Sequence, residues 1–124
     1  MEVSAQISDL EQIHNWKDEV NSARESLRFM RSQLENIAQY KTDDDTLAQV
    51  EHFQNQFIRQ LEVADEMHHD LKQSAKKIAN NGQPHILHDD RPVDDFKVLK
   101  DRMQTFRKLY NEFGEEFKAF KSFS

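Results

Sequence analysis

Apolar residues recur along three stretches of the chain at alternating steps of three and four. The most regular stretch is Phe96, Leu99, Met103, Phe106, Tyr110, Phe113, Phe117 and Phe120. That spacing places eight apolar side chains on one stripe of an α-helix, which is stable only where other helices cover it. A second stripe runs Ile13, Trp16, Val20, Ala23, Leu27, Met30, Leu34 and Ile37, with Arg24, Glu25, Arg28, Arg31 and Glu35 lying off it. A third reads Leu47, Val50, Gln54, Phe57, Leu61, Ala64, His68, Leu71, Ala75 and Ile78, widened by Phe53, Ile58 and Met67. In that register Gln54 and His68 are polar core steps, a placement that sets helix register in packed seams.

Helix signals punctuate these stripes. Ser8 and Glu11 have capping-box spacing and Asp9 suits a helix N-terminus, so the first helix is expected to open at Ser8. It stops near Tyr40 and Lys41, and Thr42, Asp43, Asp44 and Asp45 supply the cap and first turn of the next. So short a connection makes the first two helices antiparallel neighbours. Lys76 and Lys77 suit the negative end of helix two, and Asn80, Asn81 and Gly82 are residues that close helices. A loop follows, and Pro92 fits the first turn of helix three. The predicted fold is one all-α domain over 1–124: an antiparallel up-down-up bundle of three long helices with coiled-coil-like heptad packing. Its helices span roughly 8–41, 43–80 and 91–122, with a loop at 81–91.

Composition narrows the class further. Two glycines and two prolines in 124 residues describe a helix-rich chain rather than an α/β enzyme built on glycine turns. Cysteine is absent, which removes disulfides, thiolate metal sites and a cysteine nucleophile. The first thirty residues carry Glu2, Asp9, Glu11, Asp18 and Glu19 without an apolar run of signal-peptide length, and no stretch approaches a membrane span. A cytoplasmic location is therefore expected, with no membrane partner. A net charge of −6 opposes the counterion-release term that drives nucleic-acid binding, so no nucleic-acid partner is expected either.

Candidate chemistry rests on histidine. Glu11 with His14 and Glu66 with His69 show the i, i+3 carboxylate and imidazole spacing of helical di-iron sites, but both pairs point away from the core stripes. His14 and His52 flank core positions and are expected in solvent. His85, His88, Asp89 and Asp90 form a denser group that suits a surface divalent ion such as zinc, although Asp89 and Asp90 also suit the start of helix three.

The run His69, Asp70, Leu71, Lys72, Gln73, Ser74, Ala75, Lys76, Lys77, Ile78 resembles the histidine-containing phosphotransfer domains of phosphorelays, whose pattern is His-x-x-Lys-Gly followed by small and aliphatic residues. The resemblance covers about ten residues. It implies a phospho-accepting His69 exposed in mid-helix, with Lys72 one turn on to counter phosphate charge. Gln73 stands where that family has glycine, and helix three is continuous where the family has a helical hairpin. The outline of the chain is also similar to spectrin-type repeats, which share three long heptad helices and a tryptophan in the first.

No glycine-rich phosphate loop, nucleophile elbow, His-Glu-x-x-His helix or calcium loop occurs. The chain thus reads as a non-enzymatic bundle without a cofactor. It is expected to act by protein-protein interaction or self-association through helix three, where Leu109, Phe113 and Phe123 are the candidate contact residues.

Overall fold

The computed structural model describes residues 2–79 and 95–123, with side chains from Ser8 onward. The described secondary structure is entirely helical: α1 (Glu2–Tyr40), α2 (Asp44–Ala79) and α3 (Phe96–Ser122). Among the described residues there is no strand, and no helix is long and apolar enough to cross a membrane.

The stripes of α1 and α3 become core as expected. On α1, Ile13, Trp16, Val20, Ala23, Leu27 and Leu34 are buried; on α3, Leu99, Met103, Phe106, Phe113, Phe117 and Phe120 are buried, with Phe96 and Tyr110 half-buried. Close backbone approach is concentrated between α1 and α2. Ala23, Ala64 and Ala75, all buried, leave room for that approach, whereas α3 meets the pair mainly through long side chains.

The core falls into two clusters. One gathers Ile13, Trp16, Val20, Met67, Leu71, Leu99 and Met103 with the three alanines and Phe106. Trp16 stacks on Phe96 at its edge, with ring centroids 5.2 Å apart. The other is dominated by phenylalanine: Phe53, Phe57, Phe113, Phe117 and Phe120 pack with Leu27, Leu34 and Val50. Phe57 meets Phe113 and Phe117 edge-on at 4.9 and 5.1 Å, the arrangement that opposes ring edge to ring face. Tyr110 packs against both clusters.

Polar pairs tie the helices together outside the core. Arg107 grips Glu19 through two guanidinium nitrogens, and Lys121 bonds Gln33 at 3.1 Å while lying over the Phe117 ring. Arg24 reaches Asp65, Arg102 reaches Asp70, and His52 meets Glu116. These pairs are partly solvated, so each stabilises the fold by at most about 1 kcal/mol and serves mainly to select register.

The ends of the helices depart from the sequence-based expectation in instructive ways. α1 continues through Ser8 to Glu2, because Glu, Ala and Gln in its first turns sustain the helix and the Ser8–Glu11 spacing is not used as a cap. Asp43 does cap α2: its carboxylate accepts from the Thr46 amide at 3.0 Å and the Thr46 hydroxyl at 2.7 Å. Those bonds hold the Asp43 carboxyl below its ordinary 3.8. Their stabilisation is present above that value and is lost as pH falls through the lower, folded one. α3 opens at Phe96 rather than near 91. Asp95, in extended backbone, accepts from the Val98 amide at 2.9 Å and ends the helix locally. Replacing Asp95 with alanine is expected to cost about 1 kcal/mol and to fray the first turn of α3. A urea titration of the two proteins checks the loss, and amide exchange at Val98 and Leu99 checks its location.

α2 differs in phase. Gln54 is exposed and His68 only half-buried, so neither is a core step. Their places are taken by Phe53, Met67 and Ser74, with Gln60 half-buried on the same row. Val50, Phe57, Ala64 and Leu71 are common to both registers. The observed one wins because it buries Phe53 and Met67 and leaves the Gln54 amide in water.

Candidate functional site

α3 presents an exposed row beside its filled core: Val98, Asp101, Thr105, Leu109, Glu112, Glu116, Ala119 and Phe123. The steps of three and four keep this row on one flank of the helix, the flank toward α2. Two clefts run along the seam there. One, of about 300 Å³, is walled by Val63 and Met67 of α2 and by Phe106 and Leu109 of α3. The other, of about 450 Å³, lies between Ala48 and Phe53 of α2 and Ala119, Phe120 and Phe123 of α3. Leu109 is 48% exposed and Phe123 is 91% exposed. Phe113, by contrast, is buried in the phenylalanine cluster, so the apolar surface that α3 offers is carried by Leu109 and Phe123.

Val63, Ala48 and Ala119, which complete the cleft walls, escape a reading of the sequence because they fall off the three- and four-residue steps of the apolar stripes. The signal available for them is positional: Val63 precedes the core residue Ala64, and Ala119 precedes Phe120. A third cleft, between α1 and α2, is mixed in character, with Arg28 and Arg31 facing Ile58 and Leu61.

The histidines are scattered rather than gathered. His14 and His52 are exposed, and His52 sits 3.3 Å from Glu116 at the rim of the larger cleft. Among the described residues no group of three His, Asp or Glu is placed to hold a metal ion. His85, His88, Asp89 and Asp90 lie outside the described residues. In the run around His69, Leu71 is fully buried, Lys72 is exposed and His69 is half-buried. Gln73 is buried, and its side-chain amide oxygen Oε1 has no hydrogen-bond partner.

The His68 imidazole has a lowered pKa. Burial pushes it below the ordinary 6.5, Arg24, Lys17 and Lys72 push it further down, and Asp65 opposes them. Unfolded chain therefore takes up the proton at higher pH than folded chain. The folded state has its full advantage above about pH 6.5 and loses part of it as pH falls toward the folded value. His68→Gln is expected to flatten the stability profile below pH 6.5 relative to the parent. Urea midpoints at pH 7.5 and 5.5 measure this, and parallel profiles would contradict it.

Chemically, the seam offers apolar clefts with charged rims and no gathered catalytic set among the described residues. No protein-family model, curated protein or solved structure matches the chain.

Proposed function

We propose that this chain is a non-enzymatic cytoplasmic bundle that works by binding protein, a partner or a second copy of itself, through α3. The observation that carries the reading is the exposure of Leu109 and Phe123 on a helix whose core stripe is already filled. Each of the two lies beside its own open apolar cleft on the α2–α3 seam, and an exposed apolar side chain next to such a cleft suits a contact surface. The architecture proposed with it is an antiparallel up-down-up bundle with coiled-coil-like packing. The order of the cross-helix pairs supports this. Glu19 with Arg107 and Gln33 with Lys121 are both 88 positions apart and advance together along α1 and α3. His52 with Glu116 and Asp70 with Arg102 advance in opposite senses along α2 and α3.

Leu109→Ser tests the function, because an exposed leucine can be replaced without opening the core. Light scattering and crosslinking capture from cells are expected to lose a complex in the variant while its melting temperature stays within a few degrees of the parent. A monomer with no stoichiometric partner, in parent and variant alike, counts against the reading.

A second reading takes His69 as a phospho-acceptor in a phosphorelay. It is favoured by the placement of Lys72 in solvent one turn beyond His69, with Leu71 between them in the core. Incubation with a phosphorylated receiver or hybrid kinase should then give an acid-labile phosphate that His69→Gln abolishes. Its persistent absence with several donors removes the reading.

A further inference from the structure

One corner of the molecule runs against its net charge of −6. It lies on the α1–α2 seam. Every Lys and Arg inside α1, namely Lys17, Arg24, Arg28 and Arg31, falls on a single row of that helix at steps of seven, four and three. The row faces α2, where Arg24 meets Asp65 at 2.9 Å. The residues of α1 and α2 that reach α3, Glu19 and Gln33, His52 and Asp70, stand on the opposite flanks of their helices, so this side of the seam is turned away from α3. Lys17 stands seven residues before Arg24, and Lys72 seven after Asp65. Both lysines and Arg24 act on the half-buried imidazole of His68, one turn before Lys72.

Asp65 is the one carboxylate acting on that imidazole, and Arg24 already engages it. Lys17 and Lys72 have no ion-pair partner among the described residues, and no residue three or four away from either along its own helix is acidic. Three cations against one carboxylate leave two positive charges around a single ring. Like-charge repulsion makes such a group costly until an anion joins it.

We propose that this corner binds the phosphoryl dianion of a small molecule or of free phosphate, with Lys17, Lys72 and Arg24 around the oxygens and a ring N–H of His68 as donor. Two negative charges match the local excess, and lysines serve phosphate as point charges that need no fixed fork. Its surroundings confine it to a single group. Asp18 and Glu25 on α1 and Glu62 on α2, all exposed, flank the corner and repel a longer polyanion such as a nucleic acid or an anionic membrane. The bound dianion also favours imidazolium over imidazole. Burial, Arg24, Lys17 and Lys72 hold His68 below its ordinary 6.5 with Asp65 opposing, and among the described residues α3 adds no charge to that set. An anion reverses the balance, so binding and proton uptake at His68 reinforce each other. The corner is independent of the contact surface proposed for α3.

Chemical-shift titration of the whole chain at pH 7.5 tests it, with inorganic phosphate as the free ion and glycerol phosphate as the ester. Saturable shifts centred on Lys17, His68 and Lys72 are expected, and the tighter ligand tells the source of the phosphoryl group. Lys17→Gln combined with Lys72→Gln should weaken binding about tenfold. Lys97→Gln combined with Lys118→Gln, on exposed positions of α3, changes net charge equally and should leave binding as it was. Sulfate stays doubly charged from pH 5.5 to 7.5, so its affinity isolates the histidine. It should bind severalfold tighter at the lower pH, and His68→Gln should remove most of that gain. Shifts that spread over the surface without saturating overturn the site, as do equal losses in the two double variants. Saturable binding whose pH dependence ignores His68→Gln overturns the part given to His68.

Discussion

Phe57→Ala is expected to lower the stability of the fold by about 3–5 kcal/mol, the largest effect of any single truncation considered. Phe57 is 0% exposed and is enclosed from the α3 side by the rings of Phe113 and Phe117. Alanine removes the buried ring, its edge-to-face contacts and the surface it keeps from water. The neighbouring phenylalanines are themselves held by Phe53 and cannot simply close over the void. For a domain of this size the loss corresponds to a fall in melting temperature on the order of 10–20 °C. It is a large share of the roughly 5–15 kcal/mol available to a folded domain. Phe123→Ala is the matched control, because Phe123 is exposed and its removal should stay within about 0.5 kcal/mol. Urea unfolding of the two variants gives both numbers. Similar losses in both would mean that α3 is not seated as described.

Ala64→Leu tests the opposite failure, too much volume where two backbones lie close. Ala64 is 0% exposed and shares its cluster with Ala23 and Ala75 at the tightest part of the fold, between α1 and α2. Three added carbons have no void to enter, so either α1 and α2 separate or side chains leave their rotamers. The expected cost is about 1–3 kcal/mol. A stabilised variant would show that the α1–α2 spacing has slack. A calorimetric scan measures the loss. Near-ultraviolet circular dichroism of Trp16, in the same cluster, reports whether the helices have moved.

The three helices are legible in the sequence because each carries a heptad stripe long enough for its period to be unambiguous. The α2 register is not. Val50, Phe57, Ala64 and Leu71 serve equally a stripe completed by Gln54 and His68 and one completed by Phe53 and Met67. The choice depends on where α1 and α3 lie, which no local pattern encodes. The start of α3 was obscured by a surplus of signals, since Asp89, Asp90 and Pro92 all resemble helix openers and Asp95 is the residue that caps. Leu109 and Phe123 can be singled out as apolar positions beside a complete stripe. The clefts beside them cannot, because Leu109 and Phe123 meet α2 residues there, and which flank of α3 faces α2 is not written in the α3 stripe. Phe113 illustrates the converse: its place on the α3 stripe, the signal that identifies core, is what removes it from the surface.

The division of the core into two clusters, with Tyr110 packed against both, has a consequence for how the molecule comes apart. The phenylalanine half contains Leu34 and Val50, on either side of the short α1–α2 connection, so its closure is partly secured by chain connectivity. The half built on Trp16, Leu71 and Leu99 holds Ile13 and Ala75, towards the far ends of the same hairpin. Free energies of local opening are therefore expected to differ along each helix, and because α1, α2 and α3 each run unbroken through both halves, with Tyr110 packed between them, an opening in one half loads the other through three backbones as well as one ring.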